Sequence, residues 1–174
     1  ANPFVMTLTE FQVNAASPIG ITKNDCIVVK QDGHFHLGRR RQELPSDRAT
    51  PHVYESSLSE LQLSKLRRIL ESFSVRSMAP FAQKDSPLDI AWYRGLLVKI
   101  FRDTGVQEAG YATWTPGEGT PDTTPNNIPI RTKQAWQISE RVLQPLVDWF
   151  HGVEQMRLQS SRAEGTLCSV EPGH

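Results

Sequence analysis

The segment that most constrains the fold of this chain is CIVVKQDGHFHLGR, in which two runs of strand-forming residues flank a turn sequence. This pattern predicts a β-hairpin. A two-residue turn would mix polar and apolar side chains on both faces of the hairpin. A three-residue turn with Gly33 in the left-handed conformation instead pairs Val29 with Phe35 and Ile27 with Leu37, which collects the apolar side chains on one face. The sequence therefore predicts an antiparallel hairpin with one buried face.

Further strands are predicted on both sides of this hairpin. The alternation in FVMTLTEFQV, residues 4–13, predicts a strand with a slip in register near Thr9 and Glu10. Residues 14–25 have the composition of a loop, and HVYES predicts a short strand. The residues LLVKIF and VQEAGYATW surround a turn and predict a second hairpin over about 92–115.

Two amphipathic helices are predicted. In LSELQLSKLRRILESF, Ser59 is a good N-cap and Gln62 stands at the capping-box position. The apolar stripe of this helix is Leu63, Leu66, Leu70 and Phe73. A longer helix is predicted over about 132–157, with a stripe of Ile138, Val142, Leu146, Phe150 and Val153. Whether residues 86–95 are helical stays open, since they combine helix-start signals with strand formers.

The order of these elements predicts an α+β fold in which an antiparallel β-sheet carries the two amphipathic helices on one face. The chain has 174 residues and is 38% apolar, which fits one domain with its own core. We expect this domain to span residues 1–157. Residues 158–174 are polar and weakly patterned, so we expect an extended or mobile tail.

Charge and composition argue against several partner classes. Nineteen basic and nineteen acidic residues balance, so no overall field favours nucleic acid or an anionic membrane surface. No apolar run reaches the length of about 18 residues that a membrane helix requires. The chain opens with ANPF rather than methionine, as a mature secreted or periplasmic chain or a trimmed one would. Cys26 and Cys168 can form one disulfide in such a compartment, but two free thiols fit the sequence equally well.

His34 and His36 are the first candidate metal ligands. Side chains two residues apart on a strand project to the same side, so the two imidazoles could share one divalent ion. The further ligands that zinc needs could come from His52, His151, Cys26 or distant carboxylates, yet none has a diagnostic spacing. The alternative is a solvated polar face beside a turn.

Three consecutive arginines, Arg39, Arg40 and Arg41, have the guanidinium groups that bind phosphate. Their side chains alternate sides along a strand, however, so they form no single patch. The alternative is an exposed strand end whose charge is balanced by Glu43 and Asp47. We therefore expect no nucleic-acid partner.

The segment TPGEGTPDTTPNNIPIR, residues 115–131, contains four prolines and two glycines, which exclude a regular element. Trp114 at its start is the best candidate for an exposed aromatic residue, and exposed aromatics often mark a recognition surface. Glu118 and Asp122 within the segment are further candidate binding residues. Their carboxylates could also serve in hydrolysis, but no partner base is specified. The sequence has no G-x-S-x-G elbow and no S-x-x-K motif, and we expect no cofactor and no catalytic residues.

The layout of a strand and hairpin, the capped helix LSELQLSKLRRIL, the hairpin LLVKIFRDTGVQEAGY and the final helix LQPLVDWF resembles small exported bacterial α+β domains. Among these it is similar to the emfourin family of metalloprotease inhibitors. The resemblance rests on element order and apolar pattern over about half of the chain, and it assigns no site residues. It implies a protein partner and an inhibitory role.

These observations rank three functional hypotheses. The first is a non-catalytic exported domain that binds another protein through the 115–131 segment and its aromatic margin. The second is a metal-dependent enzyme centred on His34 and His36. The third is a structural subunit of an oligomer, a state that the sequence leaves open.

Overall fold

The computed structural model describes residues 2–14, 20–41, 52–81, 92–114 and 130–156, together with Cys168. The elements are β1 (Phe4–Asn14), β2 (Gly20–Lys30), β3 (His34–Arg41), β4 (His52–Ser57), α1 (Glu60–Leu70), α2 (Phe73–Arg76), β5 (Trp92–Arg102), β6 (Gly105–Trp114) and α3 (Ile130–Gln155). None of the helices in these residues is long and apolar enough to cross a membrane.

The six strands form one antiparallel sheet in the order β4-β3-β2-β1-β5-β6. Helices α1 and α3 share one hydrophobic core with a single face of the sheet. This arrangement confirms the predicted α+β fold. The chain starts in the centre of the sheet and builds outward in both directions, so β4 and β6 are its edges.

The predicted register of the first hairpin is confirmed. Val29 pairs with Phe35 and Ile27 with Leu37, and all four side chains are buried in the core. Gly33 has a positive φ of 87° and donates its N–H to the carbonyl of Lys30. The turn requires the left-handed conformation at residue 33, which glycine adopts readily and residues with a Cβ atom do not.

Two predictions about β1 and β2 were wrong. The register shifts of β1 lie between Phe4 and Met6 and between Gln12 and Val13, so the strand is regular at Thr9 and Glu10. Residues 20–25, predicted as part of a loop, are the first half of β2. Their polar side chains are compatible with a strand because several of them pair with charged groups of neighbouring elements.

Helix α1 begins as predicted. Ser59 accepts a hydrogen bond from the backbone N–H of Gln62, and the Gln62 side chain accepts one from the backbone of Ser59. The predicted stripe is wrong at its end, because Phe73 is 86% exposed. The helix ends at Leu70, and Ser72 caps the separate turn α2, which rotates Phe73 away from the core.

Among the described residues, helix α3 contributes more buried side chains to the core than α1 or α2. Leu146, Phe150 and Val153 of its predicted stripe are buried, whereas Ile138 is 59% exposed. Trp136 in the first half of the helix and Leu143 at its middle face the core instead. The indole Nε1 of Trp149 donates to the carbonyl of Gln62, which links α3 to α1.

Cys26 and Cys168 form a disulfide with a Cα–Cα distance of 6.0 Å. Side chains alternate along β2, so Cys26 lies on the sheet face opposite Ile27 and the helices. Cys26, Val28 and Val53 are buried on this second face. Cys168 is therefore attached to the side of the sheet that the helices do not cover, and the rest of the predicted tail falls outside the described residues.

Two glycines should respond in opposite ways to alanine substitution. A Cβ on Gly110 would meet the backbone carbonyl of Leu96, whereas a Cβ on Gly152 would meet nothing within 4 Å. We expect Gly110→Ala to lower the free energy of unfolding by about 1–3 kcal/mol, since backbone must move. Gly152→Ala should raise it by about 0.5–1 kcal/mol, because glycine is unfavourable inside a helix. Urea unfolding of both variants checks this pair, and equal midpoints would contradict it.

Candidate functional site

The histidines predicted as metal ligands lie on the sheet face away from the helices. The side chain of His34 is 66% exposed, and its Nδ1 lies 3.3 Å from Oδ2 of Asp32. His36 is half-buried, with its Nδ1 3.1 Å from Oε1 of Glu55. Each imidazole thus has a different carboxylate partner, and a metal shared between the two histidines stays a prediction.

The residues predicted for binding lie at the end of β6 and beyond it. Trp114 is the last residue of β6 and pairs with Tyr93 of β5. Glu118 and Asp122 fall outside the described residues. Their role in binding therefore also stays a prediction.

A cluster of six charged or ionisable side chains in the described part of the chain lies between the sheet and the second half of α3. We call it the polar network, and its members are Glu10, Lys23, Asp25, Arg39, His151 and Glu154. The sheet register places three of them side by side, since Glu10 pairs with Asp25 and Asp25 pairs with Arg39. Lys23 lies two residues before Asp25 on β2 and therefore on the same face of the sheet. The remaining two members come from α3, where a spacing of three residues puts His151 and Glu154 on the same face.

Glu10 holds the exposed side of the polar network together. Its Oε1 lies 2.5 Å from Nζ of Lys23, and its Oε2 lies 2.9 Å from Nε2 of His151. Burial raises the pKa of Glu10, but hydrogen bonds and positive charge from Lys23 and His151 outweigh burial and hold this pKa below its ordinary value. Glu10 is therefore ionised at neutral pH.

Asp25 and Glu154 form the buried side of the network. The side chain of Asp25 is fully buried, and that of Glu154 is 9% exposed. Burial, together with a hydrogen bond to Asp25 and the charge of Asp25, raises the pKa of Glu154 to about 8. The guanidinium Nε of Arg39 lies 3.2 Å from Oε2 of Glu154 and 3.8 Å from Oδ2 of Asp25. Arg39 is thus a core-facing ion-pair partner, contrary to the expectation of an exposed strand end.

A cleft of about 280 Å³ reaches the polar network from solvent. Glu10, Lys23 and His151 contribute to its wall, and Tyr111 and Glu140 lie on the side toward β6. Burial, followed by the negative charges of Glu140 and Glu10, raises the pKa of Tyr111 to about 12, so its hydroxyl stays protonated. The cleft therefore offers carboxylate, imidazole, ammonium and phenol groups to a small polar ligand.

A second cleft, of about 410 Å³, lies between the end of α1 and the turn from β5 to β6. Arg67, Arg76 and Arg102 line it together with Glu71. Arg102 donates to Glu71 and to the backbone carbonyl of Leu70, and Arg76 also pairs with Glu71. The guanidinium groups of Arg76 and Arg102 are thus already bonded within the protein, and they join α1, α2 and β5.

The outer edge of β6 is the longer of the two sheet edges in the described residues. Its ten residues pair with β5 through an uninterrupted register, and no described strand pairs with its other side. Native sheets usually protect such an edge with lysines, prolines or bulges. β6 has one charged residue, Glu108, and no register shift. Within the described residues, this edge therefore has no lysine, proline or bulge.

Sequence patterns indicated little of the polar network. His151 was among the residues considered as extra ligands for His34 and His36, but it lies with Glu10 instead. The sequence did contain one indication of this network, because His151 and Glu154 stand on either side of Val153, which is buried in the core. Polar residues that flank a core position on a helix are candidates for a buried polar contact.

No family model matches this chain, and no curated protein matches its sequence. The resemblance to emfourin therefore stays a prediction.

Proposed function

We propose that this chain is a non-catalytic, exported domain that binds another protein, and that it receives an extended segment of that protein along the edge of β6. The observation that carries the proposal is the regular, nearly uncharged edge of β6, which leads directly into Trp114 and the proline-rich segment 115–131. An added strand gains backbone hydrogen bonds along its length, and side-chain pockets beside the edge supply specificity.

The disulfide supports the proposed site of action. Disulfides persist in oxidising environments such as the bacterial periplasm or the extracellular space and are rare in the cytosol. The bond between Cys26 and Cys168 therefore favours a secreted or periplasmic protein.

The resemblance to emfourin supplies the first partner class to test, which is secreted metalloproteases. In this complex, an extended segment of the protease would pair with β6, and the protease would also contact the 115–131 segment of this chain. We expect the inhibition to depend on both the edge of β6 and the 115–131 segment.

Val106→Lys is the most specific test of the proposed edge. Val106 is 51% exposed in β6, so its substitution should change the free energy of unfolding by less than about 0.5 kcal/mol. A lysine on an edge strand opposes strand addition, and we expect the affinity for the partner to fall about tenfold or more. Binding is measured by calorimetry with a secreted metalloprotease that the wild-type chain inhibits, or with the protein that the chain captures from the secreted fraction of its source.

Ile138→Lys is the matched control, because it introduces the same charge at an exposed apolar residue of α3. It should bind like the wild type. A deletion of residues 117–128 should leave the thermal midpoint nearly unchanged and abolish binding if the loop contributes contacts. Equal binding by Val106→Lys and wild type would refute strand addition at β6, and loss of folding on deletion would make the loop structural.

A further inference from the structure

Three potential metal ligands lie close together beside the 280 Å³ cleft, whose wall includes two of them, Glu10 and His151. One oxygen each of Glu10 and Glu154 and one imidazole nitrogen of His151 all lie within 4.8 Å of one another. Two of these side chains project from neighbouring turns of α3, and the third comes from β1 in the centre of the sheet. The ligands therefore belong to elements that the core already holds in place.

A second, independent observation comes from Glu154. Its side chain is nine-tenths buried, and its Oε2 accepts no hydrogen bond among the described residues. The contact of this oxygen with Nε of Arg39, at 3.2 Å, is an ion pair without hydrogen-bond alignment. A buried carboxylate oxygen in that state is available as a ligand.

We propose that Glu10, His151 and Glu154 bind one first-row divalent metal ion beside this cleft. One imidazole nitrogen and two carboxylate oxygens suit Zn²⁺ or Mn²⁺, whereas Ca²⁺ prefers an all-oxygen set of six or more ligands. Three protein ligands leave a position open toward the cleft, where a water or a ligand group from a bound molecule completes the coordination. Asp25, hydrogen bonded to Glu154, is the positioning residue that orients this carboxylate.

Lys23 is the competitor of the metal ion in this arrangement. Its ammonium group lies 2.5 Å from Oε1 of Glu10 and supplies the positive charge that the metal would otherwise provide there. The side chain is 28% exposed, so it can move into solvent when an ion enters. Lys23→Met should therefore bind the metal more tightly than the wild type, by about tenfold.

The test is calorimetric titration of the full 174-residue chain, purified without a histidine tag and stripped with EDTA, with ZnCl₂, MnCl₂ and CaCl₂ in turn. We expect one Zn²⁺ or Mn²⁺ per chain and no comparable binding of Ca²⁺. His151→Asn and Glu154→Gln should each lose the binding, and Asp25→Asn should weaken it about 10–100-fold. A circular-dichroism melt of each variant shows that it is folded, and the imidazole nitrogen resonances of His151 in the wild type report whether this side chain is the ligand.

His34→Asn and His36→Asn are the matched controls, and each should bind like the wild type. Absence of metal binding in the wild type, or binding that survives in His151→Asn, would overturn the proposal. Binding that is lost in His36→Asn instead would assign the metal to the histidine pair of β3. If Lys23→Met gains no affinity, the competition between Lys23 and the metal is refuted.

Discussion

Breaking the disulfide is expected to lower the free energy of unfolding by about 2–5 kcal/mol, with the upper end of this range favoured by the long loop that the bond closes. Cys26 and Cys168 are separated by 142 residues, so the cross-link removes a large part of the conformational freedom of the unfolded chain. Urea unfolding of the wild type and of Cys168→Ser measures the difference. Cys168 is the better position for serine, because Cys26 is buried and a hydroxyl there would lose its contact with water.

Reduction provides the control for this prediction. Dithiothreitol should shift the urea midpoint of the wild type down to that of Cys168→Ser and leave Cys168→Ser unchanged. Equal midpoints for oxidised and reduced wild type would contradict the prediction. They would mean that the unfolded chain is already compact without the bond, so that the bond removes little conformational freedom from it.

Phe150→Ala is expected to cost about 3–5 kcal/mol of unfolding free energy, because it removes the largest fully buried side chain of the described residues and leaves a cavity. Phe150 lies in the half of α3 that packs over the sheet, beside the buried residues Leu146 and Val153. Chemical denaturation, monitored by the fluorescence of the buried Trp136 and Trp149, measures the loss.

Ile138→Ala tests whether this effect comes from burial. Both residues belong to the apolar stripe that the sequence predicts for the helix, but Ile138 is exposed. We expect Ile138→Ala to change the free energy of unfolding by less than about 0.5 kcal/mol. A large effect at Ile138 would mean that this part of α3 is covered in solution, as it would be in an oligomer.

The features predicted correctly from the sequence are local. The hairpin register follows from the apolar residues on either side of Gly33, and the start of α1 follows from Ser59 and Gln62. In each case the deciding contacts lie within a few residues along the chain. The α+β fold follows from the order of such elements, since short connections favour antiparallel neighbours.

The features that were missed depend on residues far apart in the sequence. The first half of β2 has the composition of a loop, and Lys23 and Asp25 fit a strand only because Glu10 and Arg39 lie on its neighbours. The polar network as a whole joins β1, β2 and β3 to the end of α3. Composition alone does not distinguish such residues from a solvated surface, because their burial depends on the packing of the helix.

The bond between Cys26 and Cys168 also makes most of this protein a covalent ring. A protease that cuts the backbone once anywhere between these two residues opens the ring but releases no fragment. The nicked protein would run as a single species on a non-reducing gel and as two pieces only after reduction. We propose that this domain binds proteases, so it is exposed to cleavage. After a single cut the disulfide keeps the two pieces in one molecule, and their high effective concentration favours the folded state.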